Sequence, residues 1–230
     1  ETLIKSYPNN PLLYNISGIC YKTIGKLDEA VKNFEKALAI KPDYAEVHYN
    51  LGVTLQELNQ LDAAVKSYKQ ALTIKPDYAI AYNNLGFTFQ ELGQLDAAVK
   101  SYEKALAIKP DFADACNNLG ITLKKRGQLD SAVEVYEKAL AIKPDYAEAH
   151  NNLGNALDDL GQLNAAVKSY EKALAIKPDY AEAHNNLGNT LTNLDQLDEA
   201  LVSYECALVL NPKLNFLLGH SLHTKMHLCI

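Results

Sequence analysis

The chain lacks the features that mark membrane-spanning and nucleic-acid-binding proteins. No apolar run approaches the ~20 residues that a helix needs to cross a bilayer, and no signal peptide is visible. The net charge is -6 without any concentrated basic cluster, whereas phosphate binding needs clustered Lys and Arg. Tryptophan is absent, while Ala, Leu, Glu and Lys dominate the composition. We therefore expect a helix-rich chain with no nucleic-acid partner and no membrane partner.

Cysteine is scarce, and the four cysteines show no paired spacing. They lie at positions 20, 116, 206 and 229, and no CxxC motif is present. This pattern predicts reduced thiols in a reducing compartment, which we take to be the cytoplasm. His220, His223 and His227 would share one helix face and could in geometry ligate zinc. Three histidines on one helix with no fixed fourth ligand are more often packing or solvent-facing residues, so we predict no metal.

Signatures of catalysis are also missing. The sequence has no Gly-rich phosphate loop after a strand, no nucleophile elbow and no pair of carboxylates suited to an enclosed pocket. We therefore predict that these residues are not an enzyme and take no cofactor.

What the chain does contain is a repeat with a period of 34 residues. The twenty residues from Tyr136 to Asn155 return unchanged from Tyr170 to Asn189. A fixed period of this length predicts a repeat architecture. We divide residues 11–214 into six repeats: 11–44, 45–78, 79–112, 113–146, 147–180 and 181–214. Residues 1–10 fit the tail of a truncated preceding repeat and residues 215–230 a C-terminal capping or linker helix, so we expect an excised fragment.

Each repeat divides into two helical patterns, which we call helix A and helix B. In the fifth repeat a helical stripe runs through Ala149, Leu153, Ala156 and Leu160. Gly161 follows, at a position that suits a left-handed residue ending helix A. The same position is occupied in the other copies by Gly25, Asn59, Gly93, Gly127 and, as the exception, Asp195.

Polar residues with short side chains precede the apolar pattern of both helices. Asn164 is the predicted N-cap of helix B, and Asp179 is the predicted cap of the next helix A, with Glu182 three residues further on. The other copies place an aspartate at the helix B position, namely Asp28, Asp62, Asp96, Asp130 and Asp198. One helix pair cannot bury both of its faces, so stacking of identical pairs explains why the sequence repeats.

The repeat resembles the tetratricopeptide repeat, and the residues that carry the resemblance are Leu153-Gly154, Ala166, Tyr170, Ala173 and Pro178. It covers residues 11–214. The resemblance implies an all-α fold, a right-handed superhelical solenoid of antiparallel helix pairs. It also implies that the A helices line an inner wall, through the second, fifth or sixth, ninth and twelfth or thirteenth positions of each repeat. The inner wall is where such proteins bind a peptide or a partner protein.

The sixth position of the repeat carries five asparagines in register. They are Asn50, Asn84, Asn118, Asn152 and Asn186. An amide offers both a donor and an acceptor, so each could bond the backbone of an extended peptide. The series resembles the asparagine ladder of O-linked N-acetylglucosamine transferases. Two alternatives remain open, that these are polar residues on a wetted helix face or that they join neighbouring repeats.

Other inner-wall positions are less uniform and supply the remaining predicted peptide-binding residues. The ninth position holds Val53, Phe87 and Ile121 and then Asn155 and Asn189. The apolar members either form a pocket for an apolar anchor or touch the adjoining helix. Lys124 and Lys125 form a basic patch with Arg126, and Asp158 and Asp159 form an acidic patch one repeat later; charge runs on helices are more often solvated faces.

These observations predict a protein-interaction scaffold that binds an extended peptide or a partner protein. Residues 215–230 resemble the segment that joins the repeats to the catalytic domain in bacterial proteins similar to O-linked N-acetylglucosamine transferases. The first alternative is therefore the substrate-recruiting region of such a glycosyltransferase. The second is a self-assembling module, with weak self-association through exposed terminal repeats.

Overall fold

The computed structural model describes residues 6–212, and all of the regular secondary structure in that range is α-helical. The chain divides into two compact units, the first ending at Asp111 and the second beginning at Phe112. Within residues 6–111 the helices are α1 (Pro11–Thr23), α2 (Leu27–Ile40), α3 (Ala45–Glu57), α4 (Leu61–Ile74), α5 (Ala79–Glu91) and α6 (Leu95–Ile108). Within residues 112–212 they are α7 (Ala113–Lys125), α8 (Leu129–Ile142), α9 (Ala147–Asp159), α10 (Leu163–Ile176), α11 (Ala181–Asn193) and α12 (Leu197–Leu210).

The helices pack as pairs in the same way inside each unit. Every odd-numbered helix packs against the even-numbered helix that follows it, and that helix packs in turn against the next odd-numbered helix of the same unit. The odd-numbered helices are the A helices of the sequence pattern, and the even-numbered ones are the B helices. Successive pairs in a unit therefore share one continuous core.

An aromatic ring of helix B packs directly on a glycine of helix A in the same repeat. In the fifth repeat, a Cβ added to Gly154 would lie 2.5 Å from Cε1 of Tyr170, and Tyr170 is only 1% exposed. The first repeat builds the same contact from Gly18 and Phe34. Glycine is therefore needed because the ring occupies the space that a larger side chain would take.

The turn between the paired helices uses one left-handed residue in each repeat, as predicted. Backbone φ is +72° at Gly161, +58° at Asn59 and +60° at Asp195. Asp195 thus adopts the left-handed conformation although it is neither Gly nor Asn. The backbone N–H groups of Asp195 and Gln196 donate to the carbonyls of Thr192 and Leu191, which closes the end of α11 as a Schellman motif.

The predicted helix caps are wrong by one or two residues. Helix α10 begins at Leu163 with Gln162 as its N-cap, and α11 begins at Ala181 with Tyr180 as its N-cap; neither cap makes a side-chain hydrogen bond. Asn164 and the aspartates at its position therefore lie inside the first turn of the B helices. A carboxylate there interacts favourably with the positive end of the helix dipole, which accounts for Asp at this position without a capping hydrogen bond.

Candidate peptide-binding face

In the second unit, two of the predicted ladder asparagines are bonded to the preceding repeat. Nδ2 of Asn152 donates to Oδ1 of Asn117 at 2.9 Å, and Nδ2 of Asn186 donates to Oδ1 of Asn151 at 3.1 Å. In both cases the acceptor lies 35 residues earlier in the chain. Asn118, Asn152 and Asn186 are all half-buried. The amides of Asn152 and Asn186 thus join neighbouring A helices.

The first unit repeats this arrangement with its own two ladder residues. Nδ2 of Asn50 donates to Oδ1 of Asn15 at 3.1 Å, and Nδ2 of Asn84 donates to the hydroxyl of Tyr49 at 3.2 Å. The role of joining neighbouring repeats, which the sequence left open, is therefore present in both units. One such hydrogen bond does not use the whole side chain, because a carboxamide has two N–H groups and an oxygen with two lone pairs.

The asparagines at the ninth position connect this face to the buried tyrosines. Oδ1 of Asn155 accepts from the hydroxyl of Tyr170 at 2.8 Å and from Nδ2 of Asn186 at 3.0 Å. Oδ1 of Asn189 accepts from the hydroxyl of Tyr204 at 2.9 Å. The oxygen of each amide is thereby turned toward the protein, and the orientation of the amide is fixed.

The ninth position of the second, third and fourth repeats is apolar and only half covered. Val53, Phe87 and Ile121 are all half-buried. In the first repeat, the apolar residues Leu12, Ile16 and Ile19 are 50%, 47% and 43% exposed. The assignment of Val53, Phe87 and Ile121 to a pocket for an apolar anchor stays a prediction.

The predicted basic and acidic patches contact each other. Nζ of Lys124 lies 2.8 Å from Oδ2 of Asp159, and Oδ1 of Asp158 accepts a hydrogen bond from the hydroxyl of Thr190. Lys22 and Glu57 in the first unit form the same ion pair at 2.9 Å, again between the twelfth position of one repeat and the thirteenth of the next. Lys124 and Asp159 therefore neutralise each other, and the exposed Lys125 is left as a charge that a ligand could meet.

The buried hydroxyls of Tyr136 and Tyr170 are neutral. Burial is the main cause that raises the pKa of the Tyr170 and Tyr136 hydroxyls far above the ordinary value. Tyr170 donates to Asn155, but within residues 6–212 the buried hydroxyl of Tyr136 has no hydrogen-bond partner. The fourth repeat has Ile121 in place of an asparagine at the ninth position, and Lys124 at the twelfth position, where Gln56 of the second repeat accepts from Tyr68.

A histidine at the fourth position of the A helix forms a hydrogen bond with the turn that precedes that helix. This contact was not predicted from the sequence. Nε2 of His150 lies 3.0 Å from the carbonyl oxygen of Pro144, six residues earlier. His48 and His184 make the equivalent contacts with Pro42 and Pro178. Burial lowers the pKa of His150, so the ring stays neutral and donates through Nε2. The signal available in the sequence was the constant spacing of six residues from Pro to His.

His150 also lines a cavity beside the B helices of the second unit. The cavity has a volume of about 620 Å³ and is lined mainly by apolar groups of α8 and α10, with Glu137 and Lys172 among its residues. The sequence pattern assigns the residues around this cavity to packing, so the cavity was not predicted from the sequence.

Three further observations concern thiols, metals and membranes. Cys20, Cys116 and Cys206 are free thiols. Across residues 6–212, no group of three or more His, Cys, Asp and Glu is arranged to hold a metal ion. In the same part of the chain, no helix is both long enough and apolar enough to span a bilayer. The three histidines considered for zinc, at 220, 223 and 227, lie outside the described residues.

Together, the stacked helix pairs and the amides that join them define a helical-repeat protein. The TPR repeat model matches residues 18–58, 54–93, 89–127, 122–161 and 154–195, and the tetratricopeptide repeat model matches residues 181–214. The chain belongs to the tetratricopeptide repeat family. The predicted fold class, an all-α repeat superhelix, is thereby confirmed, and proteins of this family generally act as non-catalytic interaction scaffolds.

Solved structures of other repeat proteins are similar to this chain. MamA is 30% identical, with a TM-score of 0.67 over 72% of this chain and 96% of MamA. YrrB, described as a TPR protein with an unusual peptide-binding site, is 25% identical, with a TM-score of 0.66 over 81% of this chain and 96% of YrrB. PilF of Pseudomonas aeruginosa is 21% identical, with a TM-score of 0.76 over 88% of this chain and 92% of PilF, and shows the fold alone. No curated protein is significantly similar to the chain.

Proposed function

We propose that this chain is a protein-interaction scaffold that binds an extended peptide segment, of a free peptide or of a partner protein, along its A helices. The observation that carries the proposal is the pair of amides Asn152 and Asn155 on α9. Asn152 uses Nδ2 toward Asn117, and Asn155 uses Oδ1 toward Tyr170 and Asn186. Within residues 6–212 no bond engages Oδ1 of Asn152 or Nδ2 of Asn155. One repeat therefore offers an acceptor and a donor, both already oriented.

This pair matches the chemistry of a peptide backbone. Residues three apart are neighbours on a helix surface, so the Asn152 oxygen can accept a peptide N–H close to where Asn155 donates to a peptide C=O. The A helices of successive repeats are close enough for the hydrogen bond between Asn152 and Asn117, so the amides of neighbouring repeats lie within reach of one extended chain. An extended peptide can thus meet successive repeats at regular intervals. Fixed amides lose little entropy on binding, which favours affinity.

Selectivity for side chains would come from the positions that vary between repeats. The ninth position is apolar in Val53, Phe87 and Ile121 of the second to fourth repeats and polar in Asn155 and Asn189 of the fifth and sixth. We expect the second to fourth repeats to favour aliphatic or aromatic ligand side chains and the fifth and sixth to bind mainly the peptide backbone. Only charged ligand residues would interact with the charged side chains of this face, which are Lys125, Asp158 and the ion pair of Lys124 with Asp159.

The experiment uses a peptide of about twelve residues selected on the full chain from a displayed random library, with affinity measured by titration calorimetry. Replacing Asn118, Asn152 and Asn186 by Ala should weaken binding by about 0.5–1.5 kcal/mol per residue. The control is Asn164→Ala, an exposed asparagine in the first turn of helix B. Thermal unfolding of each variant separates lost binding from lost stability, since the same amides join the repeats.

A second experiment tests whether the chain recognises the backbone of the bound peptide. N-methylation of the central amides of the selected peptide removes its N–H donors and leaves its side chains intact. Binding should fall to the level of the triple variant. A triple variant that binds with the affinity of the parent would contradict the proposal, as would an N-methylated peptide that binds normally.

Of the two alternatives, self-assembly has one structural observation in its favour, the exposed apolar residues Leu12, Ile16 and Ile19 of α1. The glycosyltransferase alternative rests on the resemblance of the ladder and of residues 215–230, which lie outside the described range. The gene sequence downstream of codon 230 tests it, since it predicts a catalytic domain with Rossmann-like alternation of strands and helices.

A further inference from the structure

Three residues on the A helices of the second and third repeats depart from the repeat pattern, and we call them the Tyr49 surface: Tyr49, Ile80 and Phe87. Tyr49 holds the fifth position, where the other repeats have Asn15, Asn83, Asn117, Asn151 and Asn185. Ile80 holds the second position, where the second, fourth, fifth and sixth repeats have Glu46, Asp114, Glu148 and Glu182. Phe87 is the only aromatic residue at any ninth position.

Contacts within the first unit bring these three residues together. Ile80, Asn84 and Phe87 follow the spacing i, i+4, i+7 and share one face of α5. Nδ2 of Asn84 donates to the hydroxyl of Tyr49 at 3.2 Å, so Tyr49 of α3 reaches the middle of that face. The Tyr49 ring packs on the ring of Tyr78, with centroids 5.1 Å apart. Ile80 is 43% exposed, and Tyr49 and Phe87 are half-buried.

The stacking of repeats does not require a tyrosine at the fifth position. In the second unit Oδ1 of Asn151 accepts from Nδ2 of Asn186 at 3.1 Å, which is the same bond between the same two positions of consecutive repeats. Asparagine therefore supplies the acceptor that Tyr49 supplies to Asn84. Apolar and aromatic groups that are partly exposed and not needed for packing mark a contact surface.

The hydrogen-bonding group that this surface offers is a donor. The Tyr49 hydroxyl accepts from Asn84, and its own proton has no acceptor among residues 6–212. Burial raises the pKa of Tyr49, so the hydroxyl keeps that proton. Oδ1 of Asn84 already accepts from Nδ2 of Asn83 at 3.2 Å. Asn152 of the second unit differs, because no bond within the described range engages its oxygen.

A surface with aromatic and aliphatic groups and a free donor matches a proline-rich ligand. Proline has no backbone N–H, so a run of prolines presents only carbonyl acceptors and apolar rings. Such a run forms the polyproline II helix without internal hydrogen bonds, and surfaces lined by aromatic residues recognise it. Ile80 also removes the carboxylate that most other repeats place at the second position, which suits an uncharged ligand.

We propose that the Tyr49 surface binds a proline-rich segment in the polyproline II conformation, with the Tyr49 hydroxyl donating to one of its carbonyls. The inference rests on the proposed function, because it names the class of ligand for the second and third repeats of the same peptide-binding face. It makes Tyr49 a specificity-determining residue in this part of the face.

The test is a titration of the full chain with decaproline, followed by two-dimensional amide NMR. The largest shifts should fall in residues 47–53 and 78–88, and largest shifts elsewhere overturn the proposal. Tyr49→Asn restores the residue of the other repeats and keeps an acceptor for Asn84. It should weaken binding about tenfold, as expected for loss of an aromatic anchor. Parental affinity in this variant also overturns the proposal.

Two further variants separate the hydroxyl from the ring and supply a matched control. Tyr49→Phe keeps the ring and removes the donor, and should weaken binding about threefold. Tyr82→His restores the histidine that His150 shows at the fourth position. Residues two apart do not face each other on a helix, so Tyr82 lies on a different side of α5 from Ile80 and Asn84. This control should bind decaproline with parental affinity, and thermal unfolding checks the folding of each variant.

A second peptide and the selected library peptide decide between the remaining outcomes. A Gly-Ser decapeptide with one central leucine should bind more weakly than decaproline, and equal affinity overturns the proposal in favour of a single apolar anchor. If decaproline does not bind while the library peptide binds and depends on Asn118, Asn152 and Asn186, this inference fails and the proposed function stands. If the library peptide also binds independently of those asparagines, both fail.

Discussion

At the scale of single residues, the tyrosines of the B helices form a comparison built into the chain. Tyr136 and Tyr170 occupy the same position in consecutive repeats, and both pack against a glycine of helix A. They differ in one hydrogen bond, because Tyr170 donates to Asn155 whereas the hydroxyl of Tyr136 has no partner among the described residues. An acceptor on helix A, such as Asn155 for Tyr170 or Gln56 for Tyr68, therefore decides whether this hydroxyl stabilises the repeat or costs free energy.

We predict opposite effects when each hydroxyl is removed. Tyr170→Phe should lower the free energy of unfolding by about 1 kcal/mol, because a buried hydrogen bond is lost. Tyr136→Phe should leave it unchanged or raise it by about 1 kcal/mol, because the cost of an unpaired buried hydroxyl is removed. Phe34 shows that phenylalanine fits against glycine at this position. Urea denaturation measures both variants, and equal destabilisation by the two would contradict the prediction.

At the scale of helices and turns, the residue that ends each A helix sets a local backbone cost. A left-handed conformation costs a residue with a side chain about 1 kcal/mol, while glycine adopts it freely. Four of the six turns use glycine, and the sixth uses Asp195 at φ +60°. Asp195 makes the same Schellman hydrogen bonds that glycine makes elsewhere, so only the conformational cost distinguishes it.

Asp195→Gly should therefore raise the free energy of unfolding by about 0.5–1 kcal/mol. The reverse change, Gly161→Ala, should lower it by about 1 kcal/mol through the backbone alone, since nothing lies within 4 Å of an added Cβ. Thermal unfolding followed by circular dichroism reports both changes. A destabilised Asp195→Gly variant would show instead that the carboxylate makes a contact that outweighs the backbone cost.

The same elements show what the sequence could and could not predict. The 34-residue period predicted the helix pairs, and the residues at 25, 59, 93, 127, 161 and 195 predicted the left-handed turns, because both depend on local chemistry. The predicted N-cap positions were wrong because an Asp in the first turn of a helix and an Asp at its N-cap look the same in the sequence. The bond from Asn152 to Asn117 could not be derived, because it depends on how neighbouring helices approach each other across 35 residues.

At the scale of the whole molecule, exposed apolar side chains are concentrated in the first and last described helices. Leu12, Ile16 and Ile19 of α1 follow the spacing i, i+4, i+7 and therefore share one face. Ile16 stands where the later repeats have the ladder asparagine. An exposed apolar face of this kind favours contact with another molecule.

Ile16→Lys should therefore reduce concentration-dependent self-association of the chain and leave its helicity unchanged. Sedimentation velocity over a range of concentrations, with circular dichroism as the check on folding, measures both quantities. Lys32→Glu, which alters the charge of an exposed residue of α2, serves as the control. A parent chain that stays monomeric at the highest concentration would remove the self-assembly alternative.

The second unit allows a test of how far a defect spreads through stacked repeats. Leu153 lies on α9 in the middle repeat of the unit and is 8% exposed, and α9 packs against α8 and α10 while α10 packs against α11. Leu153→Ala should lower the free energy of unfolding by about 2–5 kcal/mol, because it leaves a cavity in a shared core. Each repeat is stabilised by its neighbours, so the loss should not stay local. Hydrogen exchange should accelerate most in α9 and α10, and to a smaller extent in α8 and α11.

Ala165→Gly, at a half-buried position of α10, serves as a control that weakens one helix by about 1 kcal/mol without opening a core cavity. Faster exchange confined to the fifth repeat in the Leu153 variant would show that its neighbours fold independently of it, contrary to a continuous core.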